Sequence, residues 1–419
     1  MATSIKSRRF GEILAHGEFL TRARIRLWAG GIAIGWLAAI LCLALTAHGL
    51  NDYAGRPLGS DFSNVYAAGT LAREGQAQAP FDPALQHARE QAIFGEKTPF
   101  YGWHYPPYFL FVADALAALP YIPALVLWQG ASFALYLFAL SRLTRAGPAP
   151  RLRADPNWLL LAAAFPAVFI NFTHGHNGFL TAALFAGALA ALETRPILAG
   201  ILFGLTIYKP QFGVLLPFAL IAGGYWRTAI ATAATVIVFT LVVTLAFGSE
   251  VWPAFLASTH FTRTVVLEAG GAGWFKIQSA FSLVRMWGGS VALAYAVQGA
   301  VAAGIVAVII RVWSSTSGFA PKAALLCMGS FLATPYSLDY DMMILAPAIL
   351  LLIADIYTHP APPYRAAAVA LLWLVPFFTR GIAALGIPVG MISVLAVFVL
   401  VARQEWTAQT MASNEPTFA

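Results

Sequence analysis

Residues 28–48 read WAGGIAIGWLAAILCLALTAH, 21 positions without one Asp, Glu, Lys or Arg. About 20 apolar residues are what an α-helix needs to cross the hydrocarbon core of a bilayer, so the stretch predicts a spanning helix. The remainder reads the same way. Of 419 residues, 59% are hydrophobic and only 10% charged, with a mean hydropathy of +0.73. A soluble domain carries about 25% charged residues, so the composition excludes a water-soluble body and predicts an all-α polytopic membrane protein. The long Ala/Leu/Val/Gly runs lack the alternating ~10-residue strands of a closed barrel. A pI of about 9.5 then reads as basic loops on the inner membrane face, and no nucleic-acid partner is expected. Cys42 and Cys327 both sit in apolar runs, which excludes a disulfide framework and a zinc site.

Further spans are expected at 124–143, 158–173, 177–192, 228–247, 291–313, 323–335, 342–357, 366–378 and 387–402, with two short runs, 196–208 and 211–223, meeting at Lys209-Pro210. That makes a bundle of about twelve transmembrane helices. The chain divides into a basic cytoplasmic N-terminus (1–27), a membrane domain (28–403) with outer loops 49–107 and 248–289, and a cytoplasmic tail (404–419). The first apolar run is longer than the ~7–15 residues of a signal-peptide core, so an uncleaved anchor is expected. Lys and Arg set the orientation. Arg8, Arg9, Arg22, Arg24 and Arg26 before the first span, with Arg142, Arg145, Arg151 and Arg153 in a later linker, place both termini in the cytoplasm. Residues 105–143 must then cross once. Broken by Pro106, Pro107, Pro120 and Pro123, the part 105–119 is expected to lie in or dip into the outer interface. If it spanned, everything downstream would invert.

Under this topology the polar, non-helical segments collect outside: 49–104, 173–177, 209–211, 248–289 and 334–341. His48, His87, His104, His174, His176 and His260, six of the eight histidines, fall there. Lys209 stands between two apolar runs; an ionisable group near membrane depth costs about 2.5–3.5 kcal/mol on insertion scales and marks a functional site by default. Its ammonium suits a lipid phosphate as a point charge; the plainer alternative is a lysine snorkelling to the interface. Asp61 precedes a short amphipathic helix, 63–74, and reads either as its N-cap or as a general base at the membrane surface, its pKa raised by an apolar wall. His104 and Tyr105 lie in an aromatic, proline-rich stretch that alone would make an interfacial belt. His176-Asn177, and Asp339 with Asp341, sit where helices begin and also read as caps. No HExxH or DxD motif is present, so no metal and no cofactor is expected. In loop 248–289, Arg263, Lys276 and Arg285 intermix with aromatic residues, as a sugar phosphate or lipid head group requires.

Several of these segments together resemble one family. Asp61-Phe62-x-x-x-Tyr66-x-Ala68-Gly69, then Phe81-Asp82-Pro83, Tyr105-Pro106-Pro107, Gly175-His176-Asn177-Gly178, the stretch Leu198 to Leu205 with Lys209-Pro210-Gln211, and Tyr336 to Asp341 are similar, in this order over about 55–350, to glycosyltransferase family 87. The resemblance implies a GT-C fold with interfacial helices in the outer loops. It also implies a bacterial inner-membrane enzyme, mannosyltransferase-like, that takes a sugar from a polyprenyl monophosphate on the periplasmic side. The acceptor would be a hydroxyl of a glycolipid or glycan. Asp61 would be the catalytic base and Lys209 would hold the donor phosphate, helped by Arg263 and Arg285. Tyr66, His104, Tyr105, His176, Asn177, Gln211, Tyr336, Asp339 and Asp341 would line the sugar and acceptor pocket. His176 departs from the family pattern, which has glutamine there. The rival readings are a transporter or flippase and a lipid-binding scaffold. Transporters place substrate at the midplane between paired repeats, whereas polar residues here gather at one face and the halves show no repeat.

Overall fold

A computed structural model describes residues 10–146, 152, 154–271 and 273–414. The expectations resting on Arg8, Arg9, Arg151, Arg153 and the last five residues of the tail lie outside these. Helix makes up 76% of the structure and no strand forms among the described residues, so the chain is all-helical.

Among the described residues six helices are long and apolar enough to cross a membrane: Arg22–Leu45, Tyr121–Arg145, Trp226–Phe247, Val291–Trp313, Asp339–Thr358 and Val389–Thr410. A seventh span forms if Asn157–Ala163 and Pro166–His174, bent by 41°, count as one. The bend falls where Pro166 lacks the N–H and disfavours helix in the residue before it. The five other expected crossings are shorter helices: Gly178–Ala191, Pro196–Tyr208, Pro210–Ala222, Phe319–Leu332 and Arg365–Phe377. At ~1.5 Å per residue a 14-residue helix covers about 21 Å of a ~30 Å core. The expected count of about twelve is therefore not reached by length and composition. Helix Pro107–Ala117 is also too short to cross alone.

Gly178–Ala191 is apolar on every face and almost wholly buried, packed between Tyr121–Ala146 and Pro196–Gly204. A helix apolar all round belongs in an interior. Arg22–Leu45 and Trp226–Phe247 instead expose Leu37, Leu41, Leu45, Ile230, Ile237, Leu241 and Leu245. Such a continuous apolar exterior is what lipid, not water, solvates.

Trp226–Phe247 seats on glycine. A Cβ on Gly200 would lie 2.4 Å from the Ala231 Cβ and 2.6 Å from the Thr228 carbonyl oxygen, and one on Gly204 would lie 2.6 Å from the Thr235 Cβ. Small residues one turn apart let two membrane helices approach backbone to backbone. Gly204→Leu is expected to destabilise the detergent-solubilised protein by about 1–3 kcal/mol or more. Gly299→Leu, where a Cβ meets nothing within 4 Å, should leave melting nearly unchanged. Equal melting shifts for the two would refute the packing argument.

Candidate active site

The site begins at a turn. The Asp52 carboxylate accepts from the N–H groups of Ala54 and Arg56 and from the Arg56 guanidinium at 3.0 and 3.1 Å, closing the loop after the first span. Gly59, at φ +66°, then starts helix Ser60–Arg73. Gly175, at φ +62°, ends helix Pro166–His174. A Cβ on Gly175 would lie 2.5 Å from the Phe62 Cβ and 3.3 Å from the Gly59 Cα, so only glycines let these helix ends meet. The contact sets Asp61 beside His174.

Asp61 is not the N-cap; that place belongs to Gly59, and Asp61 sits within the first turn. There the helix dipole favours its carboxylate. Among the described residues it makes no hydrogen bond and no ion pair, and it opens on a cavity of about 860 Å³. Burial raises its pKa above the ordinary aspartate value, while the nearby charges of Lys276 and Arg380 oppose the rise.

Lys209 lines the same cavity. It is itself buried, and its Nζ donates to Asp341 Oδ1 at 2.5 Å. Asp341 Oδ2 accepts from the Leu338 N–H at 3.0 Å, so the carboxylate caps the following helix as well as pairing with the lysine. The Tyr340 ring lies 5.5 Å from the ammonium and stacks on His176 with centroids 3.5 Å apart. His176 Nε2 is 3.3 Å from the Tyr105 hydroxyl. Gln211, Tyr336 and Arg263 also line the cavity. Arg263 is half-exposed and holds Glu268 at 3.6 Å. His104 lines it too, its Nδ1 2.9 Å from the Thr262 hydroxyl. Burial pushes this imidazole down to about 4, so it is neutral at physiological pH.

Four expected residues stand apart from the cavity. Arg285 donates to the carbonyls of Gly289 and Glu268 and stacks on Trp274 at 4.8 Å. Tyr66 donates to the Leu119 carbonyl. Asn177 is buried behind the wall, both amide atoms without a partner among the described residues. Asp339 is fully buried and ion-paired to Arg380.

Arg380, Tyr340, His174 and Lys276 also line the cavity; of these the sequence named His174 only among the outer histidines and Lys276 only among the cations of loop 248–289. Arg380 donates to both Asp339 and His174 Nε2, and His174 Nδ1 lies 2.8 Å from the Ile170 carbonyl. Those partners assign the neutral Nδ1–H tautomer. Nothing in the primary structure singled out Arg380, which follows an apolar run. Tyr340 was signalled only by the carboxylates on either side of it. Among the described residues no three His, Cys, Asp or Glu side chains gather closely enough to hold a metal ion.

The pattern of Glycosyltransferase family 87 matches residues 103–335. The matched part contains Tyr105-Pro106-Pro107, Gly175 to Gly178 and Lys209-Pro210-Gln211, and stops short of Asp61 and of Tyr336 to Asp341. No curated protein and no solved structure matches the chain. With more than half of its length covered and its many apolar helices, the chain belongs to glycosyltransferase family 87 and is a membrane glycosyltransferase.

Proposed function

We propose that the protein moves a mannose-like hexose or a pentose from a polyprenyl monophosphate to a hydroxyl of a glycolipid or glycan, with inversion, at the periplasmic face of the bacterial inner membrane. The observation that carries this reading is the Asp61 carboxyl, without a partner among the described residues, opening on one cavity with Lys209, Arg263 and Lys276. At about 860 Å³ it falls within the ~300–1,000 Å³ of small-molecule sites.

Asp61 accepts the proton of the acceptor hydroxyl as that oxygen bonds to the anomeric carbon. The bond from that carbon to the phosphate oxygen breaks, and its electron pair leaves with polyprenyl phosphate. Cations placed where the leaving charge develops lower the barrier, usually as the largest single contribution. Neutral His104, with Tyr105, His176, Gln211 and Tyr336, offers hydrogen bonds to sugar hydroxyls. The segments around the cavity are those which the positive-inside rule assigns to the outer face, with both termini cytoplasmic.

The test supplies radiolabelled polyprenyl-phosphate sugars or nucleotide sugars to membranes containing the overexpressed protein. Label passing to glycolipid or glycan from the polyprenyl donor, with release of polyprenyl phosphate, is the expected result. Transfer only from a nucleotide sugar would overturn the donor class.

A further inference from the structure

The cavity's cations are not equally available. Arg56 is held by Asp52, Lys209 by Asp341 and Arg380 by Asp339, while Arg263 reaches Glu268 at 3.6 Å. Lys276 alone among the cavity-lining cations of the described residues has no carboxylate partner. Its Nζ sits 6.0 Å from the Phe275 ring centroid, and the side chain is half-buried.

The backbone under Lys276 is fixed. Ile277, fully buried, pairs in antiparallel fashion with Leu338, and the Gln278 N–H donates to the Ser337 carbonyl at 2.8 Å. Ser337 and Leu338, the partners in this anchor, stand four and three positions before Asp341. On its other side the chain comes from a wide helical turn, Thr262–Glu268, through Gly270 and Gly273 at φ +74° and +83°. A rigid base thus carries a long side chain with a free ammonium.

Lys276 and Asp61 are the two opposite charges left over, close enough for the lysine to act on the aspartate yet not joined as an ion pair. A displacement with inversion needs that arrangement. The base and the cation that stabilises the leaving group belong on different sides of the reacting carbon and must not neutralise each other. A phosphate brought to Lys209 would instead meet the Asp341 carboxylate on the same ammonium, and two anions on one buried cation repel.

Building on the donor class proposed above, we infer that Lys276, not Lys209, makes the principal contact to the donor's phosphate monoester anion, and that Lys209 is a positioning residue for Asp341 and the Tyr340–His176 stack. The full-length protein in detergent is titrated with a short-chain polyprenyl monophosphate and with the matching uncharged polyprenol. Lys276→Gln is expected to weaken the monophosphate by about ten-fold or more, the loss of a hydrogen bond to a charged group, and to leave polyprenol binding unchanged. Lys276→Arg keeps the charge and is expected to recover most of the affinity, which separates charge from folding. Monophosphate affinity in Lys276→Gln within two-fold of wild type, taken as the working threshold, overturns the inference. So does a selective loss in Lys209→Gln alone. A wild-type protein that binds both lipids equally defeats the donor class itself, a different result from either.

Discussion

Asp61→Asn is expected to lower kcat by about 10²–10⁴-fold, the range a positioned general base contributes, with the fold intact. Asn keeps the size and polarity of the side chain but cannot take the acceptor proton. Burial raises the Asp61 pKa, so the wild-type rate should climb with pH through an inflection above the ~3.9 of an ordinary aspartate. The Asn variant should lack that limb. The stability consequence has the opposite sense. A carboxyl with a raised folded pKa binds its proton more tightly in the folded state than in the unfolded chain. Its contribution is therefore most favourable at low pH and declines as pH rises from the unfolded value through the folded one. Asp61→Asn should accordingly melt at or above the wild-type temperature near neutral pH, a trade of stability for function. Loss of activity with unchanged melting supports the base. Full transfer by the purified variant removes it.

The segments around the cavity were legible because each announces itself locally. Polar residues, Pro and Gly interrupt apolar runs at 49–104, 173–177, 209–211, 248–289 and 334–341, and these stretches supply nearly all of the cavity wall. Partners across the chain were not legible. Lys209 and Asp341 are 132 positions apart, and Arg380 reaches Asp339 and His174 over 41 and 206. No periodicity or spacing encodes such pairings. Arg285, an arginine among aromatics, gives N–H groups to the nearby carbonyls of Gly289 and Glu268 and stands apart from the cavity. Span counting was distorted where helices are too short to cross alone. Pro166 bends one span and Lys209-Pro210 divides another pair of runs, so several apolar stretches form helices shorter than a full crossing.

Removing one member of the Lys209–Asp341 pair is expected to destabilise the protein by about 3–5 kcal/mol, because each single variant strands a charge in a buried place. Both side chains are almost fully buried, and the Nζ to Oδ1 distance is 2.5 Å. Lys209→Met leaves Asp341 with only the Leu338 N–H. Asp341→Asn leaves the ammonium without its counter-charge while its own side-chain oxygen can still accept that N–H. The double variant Lys209→Met/Asp341→Asn removes both charges together and should recover most of the loss, since a well-packed neutral replacement for a buried pair is often close to neutral. Thermal unfolding of the four proteins in one detergent gives the coupling as the departure from additivity. A Lys209→Met protein that melts like wild type would mean that water or lipid reaches the site and screens the stranded carboxylate. The same four proteins separate Lys209's two roles. If its work is to hold Asp341 and the Tyr340–His176 stack in place, the double variant regains part of its transfer activity along with its stability. If the ammonium itself holds the donor, stability returns and activity does not.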